Sequence, residues 1–86
     1  MARWKKTLER ILRGTSDASI DLGDLCGLLE AIGFTKRVRG DHHIFTRDDI
    51  EEILNLQPKR GKAKPYQVRQ VRAVVLRYKL GADDGD

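Results

Sequence analysis

Little in this sequence can cross-link the chain, hold a metal ion or enter a membrane. It has one cysteine, two histidines, two prolines and no apolar run longer than a few residues. The lone Cys26 cannot close an internal disulfide, which fits a reducing compartment. The apolar runs fall far short of the roughly 20 residues of a membrane span, and of a signal-peptide core. A soluble, cytoplasmic protein is expected. His42 and His43 are neighbours, so on a strand they would point apart, and Cys26 falls on a core face. No metal site is expected.

Acid is missing from one long stretch. Between Glu52 and Asp83 there is no Asp or Glu, whereas Lys59, Arg60, Lys62, Lys64, Arg69, Arg72, Arg77 and Lys79 all lie there. The net charge of +4 understates this block, because the acids gather near Asp17 to Asp24, near Asp48 to Glu52 and in the tail. A one-signed block on a folding segment is the electrostatic footprint of a phosphate ligand; a solvated basic face without a partner is the plainer alternative. With 40% apolar and 35% charged residues, 86 residues can bury one small core and no more. The expected organisation is a single domain, with a helical extension and loop over 1–20, a folded unit over 21–80 and a frayed acidic tail over 81–86.

Trp4, Leu8, Ile11 and Leu12 recur at helical spacing and Gly14 can stop the turn, which predicts a helix over 3–13. After the loop "GTSDAS", Asp21 is a good N-cap with Asp24 in the first turn. Leu22, Leu25, Cys26, Leu29 and Ile32 then share one face, and Gly33 supplies a left-handed end. Alternation predicts strands over 34–39 and 42–47, joined by a tight turn at Gly40-Asp41. "RDDIE" reads as a turn and "EILNLQ" as a third strand with Leu54 and Leu56 on one face. "PKRGKAKP" reads as a basic loop, closed by Pro65 at the start of a helix over 66–79. Val68, Val71, Val75 and Tyr78 form the buried stripe of that helix, flanked by Val74, with Arg69 and Arg77 outward. The order α-α-β-β-β-α implies an α+β fold, a three-stranded antiparallel meander with helices on one face and the other face open.

Strand alternation separates the two histidines. Phe45 is the bulky aromatic of the second strand and should face the helices, so His43 shares its side while His42 and Ile44 face the open side. His42 follows the turn glycine, Gly40, where a ligand backbone can come close. His43 is expected half-buried, donating to a backbone carbonyl. An imidazole that titrates near neutrality, next to Arg37, Arg39 and the loop lysines, suits acid–base work on RNA. A pair of structural histidines is the plainer alternative.

The run "LLEAIGF", the segment Gly40-Asp41-His42-His43-Ile44-Phe45, a strand entering "LQP", a basic loop and a closing helix resemble the HicA toxins of bacterial type II toxin–antitoxin systems, over roughly residues 21–80. The resemblance implies a fold like double-stranded-RNA-binding domains. It also implies an endoribonuclease that cuts mRNA without the ribosome and is silenced by a HicB antitoxin. The family's catalytic histidine, three residues before the strand's aromatic, falls on His42, and the motif glycine on Gly40. Two positions depart from the family pattern. Asp41 stands where a small hydroxyl residue is usual, and Pro58-Lys59 where many members have Pro-His.

These observations predict a metal-independent ribonuclease without a cofactor. RNA would lie on the open face, with His42 transferring a proton, Asp41 and His43 in support, and Arg37, Arg39, Lys59, Arg60, Lys62 and Lys64 holding phosphates. No set of planar polar side chains stands in the basic loop to read base edges, so weak sequence preference is expected. The alternatives are a non-catalytic RNA-binding module and a DNA reader whose last helix presents Arg69, Arg72 and Arg77.

Overall fold

The computed structural model describes residues 2–81. Three α-helices, α1 (Arg3–Arg13), α2 (Leu22–Ala31) and α3 (Pro65–Tyr78), cover one face of a sheet of β1 (Thr35–Arg39), β2 (His42–Arg47) and β3 (Ile50–Leu56). All strand pairs are antiparallel and the order is β1-β2-β3, so β2 is central. The α+β meander expected from the sequence is therefore the fold, and it is that of double-stranded-RNA-binding-like domains.

One hydrophobic cluster holds the molecule together. Phe45, Leu54 and Leu56 point inward from the sheet, Leu25, Leu28 and Leu29 from α2, and Val68, Val71 and Val75 from α3. Ile11 of α1 is fully buried in the same cluster and Leu8 nearly so, while Trp4 packs on its margin. Each such side chain contributes about 1.5–3 kcal/mol of burial. The first helix is thus part of the core and not an appendage. Leu12, placed on its apolar face by periodicity, is 44% exposed.

Four local expectations are corrected. The turn after β2 contains only Asp48 and Asp49, and β3 starts at Ile50, which is buried. Asp21 occupies the N-cap of α2, but its carboxylate makes no capping bond and pairs with Lys62 Nζ instead. The "basic loop" is a hairpin of β4 (Pro58–Lys59) and β5 (Lys62–Ala63), turned by Arg60 and Gly61 at φ +54° and +78°, as a type I′ turn requires. Its backbone is fastened to the start of α2, Leu22 N–H donating to the Gly61 carbonyl and Ala63 N–H to the Ile20 carbonyl. Those bonds and the burial of Ala63 give the basic segment a fixed shape. At the chain's end, Gly81 packs so closely on Leu8 that a Cβ would lie 2.7 Å from its Cδ2; the rest of the expected frayed tail, 82–86, lies outside the described residues. Cys26 is a core residue whose thiol burial pushes above its ordinary pKa.

Candidate active site

The Gly40-Asp41 turn joins β1 to β2 with glycine in the first central position at φ +61°, the pattern of a type II′ hairpin. A Cβ on Gly40 would meet nothing within 4 Å. The residue is glycine for its backbone angle, and it leaves the space beside His42 clear. The register Arg39↔His42, Arg37↔Ile44 and Ile44↔Asn55 puts the side chains of all five residues on the side away from the helices. His43, opposite Val38 and Leu56, lies on the inner side with Phe45. The alternation therefore separates the two imidazoles as periodicity predicts.

The surroundings of the histidines differ sharply. His42 is 45% exposed at its side chain, and its Nδ1 stands 3.1 Å from Asn55 Oδ1. An amide oxygen only accepts, so Nδ1 is the donor of this contact, and in the neutral ring Nε2 keeps its lone pair. Nε2 is 3.7 Å from Asp41 Oδ1, beyond a hydrogen bond but within reach of the carboxylate's charge. Asp41 is oriented in turn by Gln57, whose Nε2 donates to Oδ2 at 3.0 Å, and Lys64 Nζ donates to Gln57 Oε1 at 3.4 Å. The Gln57 bond, ahead of the charges of His42 and Lys64, holds the Asp41 carboxyl below its ordinary pKa, so it is ionised at neutral pH. His43 is half-buried as expected, but its donor role is corrected. Its buried Nδ1 has no hydrogen-bond partner among the described residues, because its neighbours across the sheet are the side chains of Val38 and Leu56.

The cations divide into two groups. Arg37 and Arg39 on β1, and Lys59 and Arg60 on the hairpin, are exposed and enter no ion pair among the described residues. Lys62 is paired with Asp21 and Lys64 is turned to Gln57. Arg72 of α3 grips Asp17 with two bonds, 2.9 and 3.0 Å, and reaches the Ile11 carbonyl at 3.1 Å. Arg77 meets Glu52 at 2.8 Å, beside the Tyr78 hydroxyl that donates to the same carboxylate at 2.7 Å. Asn55, Gln57, Tyr66 and Gln70 were not foreseen at the site. They line a hollow with His42, and only the two-residue spacing of Asn55 on β3 and Gln57 just after it hinted at it.

Among the described residues no group of three or more His, Cys, Asp or Glu could hold a metal ion, and no helix is long and apolar enough to cross a membrane. Fold and site together define a small α+β domain that presents one oriented histidine among cations on an open sheet. Residues 23–77 match the family model described as the HicA toxin of bacterial toxin-antitoxin, and the chain belongs to that family. The match begins after α1, so the first helix lies outside the matched region. No curated protein and no solved structure matches the chain.

Proposed function

We propose that this toxin is a metal-independent endoribonuclease that cuts mRNA in the cytoplasm and is neutralised by a HicB-type antitoxin. The observation that carries the reading is the His42 imidazole, outward on the central strand, its Nδ1 held by Asn55 and its Nε2 in no hydrogen bond among the described residues. Nε2 would take the proton of a ribose 2′-hydroxyl as that oxygen attacks the adjacent phosphorus. The 5′-oxygen leaves with a proton from water, and a 2′,3′-cyclic phosphate remains. Asp41 stabilises the imidazolium so formed, and Arg39 or Lys59 the charge on the phosphorane.

Arg37, Arg39, Lys59 and Arg60 would track the RNA backbone, while Lys62 and Lys64, tied to Asp21 and Gln57, add to the field more than to contacts. Asp41, in place of the usual small hydroxyl, acts in this reading as the partner of the charged imidazole. Lys59, in place of the usual histidine, supplies charge without proton transfer. The antitoxin would cover the same face, with acidic or apolar groups against the hairpin. A DNA reader built on α3 is disfavoured, since Arg72 and Arg77 are spent on Asp17 and Glu52.

The test is cleavage of single-stranded RNA in excess EDTA, with analysis of the ends. Cleavage should persist and leave 2′,3′-cyclic or 3′-phosphate, and His42→Ala should lose it, about 10²–10⁴-fold, with an unchanged circular dichroism spectrum. Inhibition by EDTA with rescue by a divalent ion sinks the mechanism. Binding without cleavage by the wild type would make the domain a non-catalytic RNA-binding module.

A further inference from the structure

Two hollows flank His42 on the open face. On the β1 side, Thr35, Arg37, Arg39, Ile44 and Thr46 line one of about 260 Å³, rimmed by cations. On the β3 side, His42, Ile53, Asn55, Gln57, Tyr66 and Gln70 line one of about 190 Å³ that has no Lys, Arg, Asp or Glu in its wall. The second is smaller than the roughly 300–1,000 Å³ of a drug-sized ligand site. It has room for one flat ring system, not for a whole nucleotide. We infer that this hollow is a nucleobase subsite, which takes one unstacked base of single-stranded RNA next to the phosphate that His42 faces. The inference rests on the ribonuclease reading above and adds sequence selectivity to it.

The walls are built for a base and not for a phosphate. Tyr66 is 53% exposed, yet its hydroxyl is tethered from below. Fully buried Gln67 takes the Lys64 N–H on Oε1 at 3.1 Å and offers Nε2 to the Tyr66 hydroxyl at 3.5 Å, the long limit of such a bond. A half-exposed aromatic ring at the edge of the hollow is a stacking platform with or without that weak tether, and single-stranded RNA is recognised by stacking of splayed bases on such rings. Ile53, 61% exposed, supplies apolar contact.

The amides supply the edge. Gln57 has both ends engaged, by Asp41 and Lys64, and Asn55 has its oxygen on His42 Nδ1. What is left is Asn55 Nδ2 and the whole amide of Gln70, which is exposed and has no hydrogen bond among the described residues. An amide that can donate and accept side by side pairs in bidentate fashion with a base edge, which phosphate cannot match. Asn55 touches both the hollow and the imidazole, so a base seated there lies next to the His42 ring. The weak sequence preference expected from the basic loop is replaced by selectivity at one nucleotide, because the readers come from β3 and α3 and not from the loop.

The test uses the full chain and short single-stranded RNAs that differ only in the nucleotide flanking one cut site, one RNA per base. The wild type should cut one of them at least about tenfold faster than the poorest, and Gln70→Ala should bring the rates together by slowing the best. In a His42→Ala background, which leaves RNA intact, Tyr66→Ala should weaken binding of the preferred RNA roughly 5- to 150-fold while Tyr66→Phe retains it. Equal rates for all bases, or a preference that both variants leave untouched, overturns the subsite and leaves the ribonuclease standing. If no RNA is cut at all, the ribonuclease reading falls, and the binding arm still decides the subsite: unchanged affinity in Tyr66→Ala rejects it.

Discussion

Residues 59–79 carry eight cations with no acid between them, whereas β1 carries three, Lys36, Arg37 and Arg39. Along the chain the first region is the obvious phosphate site. In space the order is reversed. Lys62, Arg72 and Arg77 are met by Asp21, Asp17 and Glu52, all from elsewhere in the sequence, and Lys64 is turned to an amide. Arg37 and Arg39 stand on the open face beside His42, and among the described residues only Lys36 of the three, on the inward side, is paired, with Glu30 at 3.3 Å. A run of like charge in a sequence records where acids are absent locally. Only the fold says which acids arrive from a distance, and here half of the basic block fastens the helix and hairpin to the core.

That contrast can be broken most directly at Arg72. Arg72→Ala removes two charge-assisted bonds to Asp17 and the bond to the Ile11 carbonyl, from side chains 20% and 19% exposed. A loss of about 1.5 kcal/mol is expected, which is a melting temperature lower by roughly 6–12 °C in a domain of this size. The salt dependence of RNA binding should not change. A flattened salt slope with full stability would place Arg72 in the RNA track and reverse the comparison.

The opposite result is expected on β1. In a His42→Ala background, Arg37→Ala with Arg39→Ala should lower the log–log salt slope of single-strand binding by about 1.4, at about 0.7 per phosphate contact. Thermal stability should be preserved, as both side chains are exposed. Lys59→Ala with Arg60→Ala should flatten the slope by on the order of one unit, and an intact slope in both double variants would leave the open face without a phosphate role.

A pH titration sharpens the structural side. The Arg72 bonds hold the Asp17 carboxyl below its ordinary pKa. A carboxyl depressed by folding stabilises the native state above its unfolded value, about 3.9, and that contribution is lost as pH falls through the lower folded value. Asp17→Asn should therefore be less stable than wild type at neutral pH, and the gap should close below about pH 4. A gap that persists undiminished at pH 2 would show that the pair's charge is irrelevant.

The smallest effect concerns His43. Its buried Nδ1 lacks a partner among the described residues, and an unsatisfied buried polar atom costs about 1–3 kcal/mol. His43→Leu should leave stability equal or raised by up to about 1 kcal/mol, because an apolar side chain suits the contacts with Val38 and Leu56. A clear drop in melting temperature would show that the ring's shape or its other nitrogen matters more than the orphaned atom.

Periodicity by itself determined the elements: three helices, three strands, the glycine turn before His42 and the opposite orientations of the two histidines. These follow from backbone geometry that repeats every two or 3.6 residues, so neighbouring residue types suffice to read them. Only the tertiary structure decided the rest. Leu28 is fully buried although it lies off the stripe read from α2, because that helix packs against α1 as well as the central cluster. The hairpin at residues 58–63 exists because it pairs with the start of α2, about forty residues earlier. Asn55, Gln57, Tyr66 and Gln70 meet at His42 because α3 lies along β3. Contacts between residues far apart in sequence carry no local pattern, and the partners of charges and amides are contacts of that kind.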